Sequence, residues 1–400
     1  MRTGRAGAVA ASVATSVAAG VGLALGAEAR VRPMQRPLTD RWQEIPIVAR
    51  GTTRLGISFR PRQAEAFHFE PGAALTRLLA FPFDVIRLAA YWDRFEPGRG
   101  CFDPSELDWQ VEAAGKAGKS VIICTGAVKA FGYPEYFVPA HQAGRRIREG
   151  SLVTAVSHPE LLAAAVRFTT KVVERYRGHP AVVAWQVEHE AFDPLGLEHS
   201  WRLSASFVDA ELEAVRAADP HRPILMNGFL PTSLPVRLSQ SWRTRHQGDS
   251  LAGALRRADI VGIDFYPRHG LVTAGTRALY LDGSTMPWHQ GWKRRLSGWT
   301  GSSPGDDEGR PPRRVMVAEG QAEPWETVTT PPNPPGRAMS SCLPEHLITN
   351  YNQCMRWQSD QRQPVRLWSY LFWGAEYWLA REMQGDDRYL EAFRRVLRQA

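Results

Sequence analysis

Residues 182–190 read VVAWQVEHE, an apolar run of strand length that ends in two carboxylates, and residues 315–323, VMVAEGQAE, repeat the arrangement. Apolar strands that terminate in Glu are costly unless those carboxylates serve a purpose, because desolvation disfavours the charged form. Working outward, six further β-rich runs occur at 55–59, 85–92, 120–126, 223–228, 260–267 and 366–373. Segments of helical period separate most of them, among them 105–117, 159–176 and 201–218. Strands alternating with helices imply parallel pairing, and eight repeats over residues 51–400 have the stoichiometry of a single (β/α)8 TIM barrel. The competing open sheet announces itself by a Gly-rich turn after its first strand, where this chain has Arg60, Pro61, Arg62 and Gln63. No phosphate loop, dinucleotide fingerprint or G-x-S-x-G elbow is present.

The chain has 400 residues, 44% hydrophobic and 22% charged, which fits a globular body with a sizeable core. Its formal charge of +8 is unevenly spread. Seven Arg against three acids put about +4 in the first 50 residues, and Lys293 to Arg314 hold six cations against three acids, about +3. The rest is close to neutral, which excludes nucleic acid as the expected partner. Residues 6–27 carry no charge and follow Arg2 and Arg5. That run is long enough to cross a bilayer but weakly apolar, so residues 1–29 read either as a cleaved signal peptide, with Ala27 and Ala29 at the cut, or as a retained anchor helix. Either way the body is expected outside the cytoplasm, secreted or anchored, with residues 30–50 as a basic tether. Of four cysteines, Cys342 and Cys354 are the nearest pair for a disulfide. The connections 268–314, read as a short helix and a loop, and 326–341, rich in Pro, are unusually long.

Chemistry in a parallel barrel sits at the C-terminal ends of strands. Two opposed carboxylates suit glycosidic bond cleavage, in which one is protonated and the other ionised. The runs WQVEHE (185–190), VAEGQAEPW (317–325), the VIRL and AYWD segments of 85–97, and LFWGAEYW (371–378) resemble the clan A glycoside hydrolases, the retaining (β/α)8 superfamily that includes cellulases and β-galactosidases. In particular the chain is similar to a bacterial branch with an N-terminal membrane segment. The resemblance covers about residues 51–385 and implies a retaining β-glycosidase that needs no metal or other cofactor. It makes Glu190 the general acid/base and Glu319 the nucleophile, with Arg87 keeping Glu319 ionised, Tyr266 donating to it, and Trp373 forming a platform under the sugar. His189 stands where that family places an Asn that contacts the sugar 2-hydroxyl. Strict alternation would turn residue 189 away from the barrel axis, so its participation requires a bulge or similar irregularity.

Other readings stand beside these. Glu323 is an alternative nucleophile. Glu188, on the face of Glu190 if alternation holds, either pushes the acid toward its protonated form or pairs with Arg87. His189, Glu190, Asp193 and His199 look superficially like metal ligands, but the segment is leaving a strand rather than forming a helix face. Fourteen Trp favour a carbohydrate cleft, with Trp92, Trp325, Trp373 and Trp378 near strand ends. Lys129, in the loop with Gly126, Tyr133, Pro134 and Glu135 that resembles the family's substrate side, is either a ligand or a solvated loop residue. From a different class, the alternative function is a catalytically degenerate, carbohydrate-binding barrel of the cell envelope.

Overall fold

A computed structural model describes residues 26–132, 136–143, 147–148, 150–193, 201–244, 248–301, 312–324 and 333–400. Most of the uncharged run, together with Tyr133, Pro134, Glu135, His199, residues 302–311, Trp325 and the prolines 331 and 332, lies outside the described residues.

Eight parallel strands close into a barrel in chain order: β1 (Arg54–Ser58), β2 (Val85–Ala89), β3 (Ser120–Cys124), β4 (Val182–Gln186), β5 (Ile224–Phe229), β6 (Ile260–Phe265), β7 (Arg314–Gln321) and β8 (Leu367–Trp373). β8 returns to pair with β1, so the sheet has no edge. The eight β-rich runs of the sequence are these eight strands. Helices α1 (Pro71–Leu79), α2 (Ser105–Lys116), α3 (Pro159–Tyr176), α4 (Ala205–Ala218), α5 (Ser250–Arg257), α6 (Gln290–Gly301), α7 (Pro344–Met355) and α8 (Arg388–Gln399) follow the strands in turn. Each presents an apolar face to the barrel: in α3, Leu161, Ala165, Phe168, Val172 and Tyr176 recur at helical spacing and are buried. Pro159 opens that helix where a missing N–H costs nothing, and the side chains of Ser204 and Asp249 accept from Phe207 N and Ala252 N to cap α4 and α5.

Inside the barrel, Val85, Ile122, Ala184, Leu225, Ile260, Met316, Ala318 and Leu371 form an apolar plug to which seven strands contribute. β1 contributes Gly56, where a Cβ would lie 1.9 Å from the carbonyl oxygen of Val85. The plug fills the barrel and leaves room for chemistry only at its C-terminal mouth.

Three features differ from the sequence reading. Residues 30–50 are not a free tether. Ala29–Pro33 pairs antiparallel with Arg277–Asp282, Leu38 and Trp42 are buried, and Val48 N donates to Asn352, so this stretch gains both backbone partners and apolar cover. The 268–314 connection is more than a helix and a loop: Arg268–Ala274 and Arg277–Asp282 form a hairpin directly after β6, completing a three-stranded sheet with Ala29–Pro33. All four cysteines are free thiols, with Cys124, Cys342 and Cys354 buried. No helix among the described residues is long and apolar enough to cross a membrane.

Candidate active site

Side chains alternate along a strand, so the residue two places beyond each plug residue points to the same interior. On five strands this rule takes Gly56 to Ser58, Val85 to Arg87, Ala184 to Gln186, Leu225 to Asn227 and Leu371 to Trp373, and on β6 two such steps take Ile260 to Asp264. The layer above the plug is therefore polar. Arg87 is its hub: Nη2 lies 2.5 Å from Glu319 Oε1, Nε donates to Ser58 at 2.9 Å, and Nη1 donates to Gln186 at 3.3 Å. Tyr266, just past β6, donates its hydroxyl to the other Glu319 oxygen at 2.6 Å. Both oxygens of Glu319 thus face a donor from a different strand.

Two backbone irregularities bring the carboxylates into this layer. On β7, Met316 and Ala318 both belong to the plug, and alternation alone would turn Glu319 outward. The pairing with β6 instead passes from Ile263 opposite Val317 to Asp264 opposite Glu319, leaving Ala318 as an extra residue that re-aims Glu319 inward. Beyond β4, Glu188 and Glu190 adopt φ of 55° and 43°, in the left-handed region that non-glycine residues rarely enter. Gly126 makes room for this turn, since a Cβ there would stand 2.4 Å from the Cα of Glu188. Lys129 holds it from the side, with Nζ donating to the carbonyls of Glu190 and Asp193 at 2.8 and 3.0 Å.

These turns reverse the expected parity. Glu188 does not share a face with Glu190. Its oxygens accept from the N–H groups of Val128 and Lys129, and it opposes Glu211 of α4. Burial raises both of these carboxyls above the ordinary range, Glu211 further because of the charge of Glu188. His189 does enter the site, as it could only with such an irregularity. Its Nδ1 lies 2.9 Å from Asn227 Nδ2 and 3.6 Å from Glu319 Oε1. The N–H of Glu190 donates to Asn227 Oδ1, which fixes the orientation of that amide. Asn227 Nδ2 must then donate to His189 Nδ1, and the ring carries its hydrogen on Nε2. Burial, then the charges of Arg87 and Lys129, hold the His189 pKa well below its usual value, so the ring is neutral.

Asp264 was not singled out in the sequence, nor were Asn227 and Gln186. Asp264 is fully buried, accepts from Asn227 at 2.6 Å, and lies close enough to Glu190 for the two carboxyls to interact. Burial and then the charge of Glu319 push Asp264 well above the ordinary carboxylate range. Glu319 is itself raised, because burial outweighs the opposing effects of Arg87 and Tyr266. The ion pair expected to keep Glu319 ionised is present, yet it does not lower its pKa overall. Tyr266 is raised by burial and by the charge of Glu319.

Of the remaining candidates, Trp373 closes β8 half-buried, with Arg60 4.2 Å from its ring centroid. Trp92 is a core residue instead of a sugar ligand: its ring stacks on Phe168 and its Nε1 donates to Glu96. Trp378 is likewise buried and donates to the carbonyl of Ala322. Lys129 is a buried brace, neither ligand nor solvated. Glu323 is occupied by Arg60, which bridges it to Glu376, and this removes it from the reacting pair. Lys293, one of the six cations counted in 293–314, is buried on α6 and pairs with Asp360.

A family model described as Beta-galactosidase matches residues 79–201, the segment from the approach to β2 through Glu190. A β-galactosidase of Haloferax lucentense is 29% identical over 116 residues, 27% of this chain and 17% of that protein. One of Geobacillus kaustophilus is 26% identical over 107 residues, 25% of this chain and 16% of that protein. The matches thus span less than a fifth of the length of these curated relatives. The crystal structure of a β-galactosidase from the psychrophilic Marinomonas ef1 superposes with a TM-score of 0.50 at 14% identity, covering 86% of this chain and 59% of that one. It shares the barrel fold.

Proposed function

We propose that this chain, a clan A glycoside hydrolase, cleaves β-glycosidic bonds by double displacement. Glu319 attacks the anomeric carbon as the bond to the leaving oxygen breaks, and Glu190 delivers its proton to that oxygen. Glu190 then takes a proton from water, whose oxygen displaces Glu319 from the sugar. The observation that carries this reading is the grip on Glu319, with Arg87 on one oxygen and Tyr266 on the other. A carboxylate so held presents a fixed lone pair, and the developing charge meets groups already oriented. The Glu190 and Asp264 pair supplies the proton store that an acid requires. Trp373 serves as the aromatic platform for the sugar, and His189 donates from Nε2 toward the 2-hydroxyl.

The similarity of residues 79–201 to β-galactosidases favours a terminal β-galactoside as the sugar recognised. The arginines before the uncharged N-terminal run favour action outside the cytoplasm. The test is a panel of aryl β-glycosides, with the β-galactoside among them, run on wild type beside Glu319→Gln. Turnover by wild type that falls by at least about three orders of magnitude in the variant supports the reading. Turnover retained by the variant rejects the assignment of Glu319. Saccharide binding with no turnover of any panel member by wild type rejects hydrolysis in favour of a carbohydrate-binding barrel.

A further inference from the structure

Seven large apolar side chains stand exposed among the described residues, and six of them lie at one end of the barrel. Val31, Val156, Leu238, Trp242, Leu271 and Val272 all sit on segments at the C-terminal mouth, the end that carries the carboxyls. The seventh, Met383, ends the helix Ala375–Met383 that follows β8, beside Glu382, which pairs with Arg77 of α1.

Five of the six are arranged in two sets. In the three-stranded sheet, Val31 is opposite Leu279 and Leu279 opposite Val272, an apolar row across all three strands, and a bulge adds Leu271 beside it. The helix Leu234–Arg243, just after β5, has no buried residue, and its Leu238 and Trp242 lie one turn apart on the same side. An exposed helix bearing Leu and Trp with Arg is the composition of an element lying in a membrane interface. Arg237 and Arg277 are exposed beside these side chains and Arg30 and Arg32 on the other face of the same strand, and neither Ala29–Pro33 nor Leu234–Arg243 contains an acid.

The chain arrives at this same end. Glu28 is buried, with Oε1 accepting from Leu234 N at 3.1 Å and from Trp288 Nε1 at 2.6 Å. It is clasped between the connections that follow β5 and β6. The uncharged run of residues 6–27 therefore joins the body at the catalytic mouth, with no spacer between.

We propose that the C-terminal mouth of the barrel lies against an anionic lipid surface and, resting on the glycosidase reading above, that its substrate is a saccharide presented by that surface. Apolar side chains at the rim enter the interface, the arginines meet lipid phosphates, and the cleft opens toward glycans carried on lipid.

The test uses the full chain on vesicles of equal parts phosphatidylcholine and phosphatidylglycerol. In a Cys101→Ser background, Val272→Cys, Leu238→Cys and, in the exposed last turn of α2 at the N-terminal end of the barrel, Lys116→Cys are each labelled with an environment-sensitive fluorophore, and quenching by nitroxide-labelled lipid is measured. Labels at 272 and 238 should lose at least about half their emission and the label at 116 should keep its own. Equal quenching at all three positions, failure of the protein to float with the vesicles, or protection of 272 by soluble polysaccharide instead of vesicles overturns the proposal. The substrate half is tested with dodecyl β-galactoside embedded in the same vesicles and soluble 4-nitrophenyl β-galactoside. The double variant Leu238→Glu, Val272→Glu should lose about tenfold or more on the embedded substrate and keep its rate on the soluble one, whereas equal rates on both overturn it. If wild type turns over neither, the glycosidase reading and the substrate half fail together, while the quenching still decides the surface.

Discussion

Asn227 donates to Nδ1 of His189 at 2.9 Å, and because the same amide accepts from the N–H of Glu190, its orientation sets which nitrogen of the imidazole carries hydrogen. One side chain on β5 thereby aligns both the acid and its neighbour. His189→Ala should lower kcat/KM on the parent glycoside about tenfold, the worth of one neutral hydrogen bond, and have little effect on the 2-deoxy analogue. Equal losses on the two substrates would show that the ring acts elsewhere.

Asp264 is placed to act as a titrating partner of Glu190, the proposed acid. A like charge disfavours ionisation, so an ionised Asp264 keeps the last proton on the pair to higher pH. Asp264→Asn retains a group facing Glu190 without that charge, and the alkaline limb of kcat/KM should move to lower pH by about one unit. The acid limb should lie above the ordinary Glu range in wild type, since burial raises Glu319 and the nucleophile works only when ionised. An unmoved alkaline limb in the variant would remove Asp264 from the proton store.

Glu323 is an ion partner and should behave as one. Glu323→Gln leaves Arg60 with Glu376 as its remaining carboxylate, so the variant should unfold about 1 to 3 kcal/mol more easily while keeping its turnover within a few fold. A loss of turnover comparable with that of Glu319→Gln would reverse the assignment.

Asp193 links pH to stability. Burial, with Asp249 nearby, pushes it up to about 6, and its Oδ2 accepts from Ser250 N and Gln240. A carboxyl raised on folding favours the native state below its unfolded pKa and gives up that advantage as pH rises through the folded value. Between about pH 4 and pH 6 the thermal midpoint of wild type should therefore fall relative to that of Asp193→Asn. Parallel midpoints across that window would show that Asp193 does not titrate there.

The eight strands were legible because β-branched and aromatic runs alternate with helical periods over the whole body. Arg87, Glu190, Glu319, Tyr266 and Trp373 were legible as polar or aromatic groups at strand ends, on the strength of the family resemblance. Gln186, Asn227 and Asp264 were within reach of the same period of two, counted inward from the plug, but nothing marks an isolated Asn or Asp in an apolar strand until the plug is known. The outward turn of Glu188 depends on positive φ at two non-glycine residues, which alternation cannot foresee. Trp92 misled because a strand-end aromatic serves a helix interface as well as a cleft. The strand Ala29–Pro33 was hidden because its partner, Arg277–Asp282, lies about 250 residues away, and short-range pattern carries no trace of such pairing.

The central claim is that Glu319 forms the covalent bond to the sugar. Wild type incubated with 2,4-dinitrophenyl 2-deoxy-2-fluoro-β-D-galactoside should gain the mass of one fluorosugar, and peptide mapping should place it on Glu319. An adduct on Glu323 or Glu190, or none from an enzyme that turns over the parent galactoside with inversion at the anomeric carbon, would contradict the account.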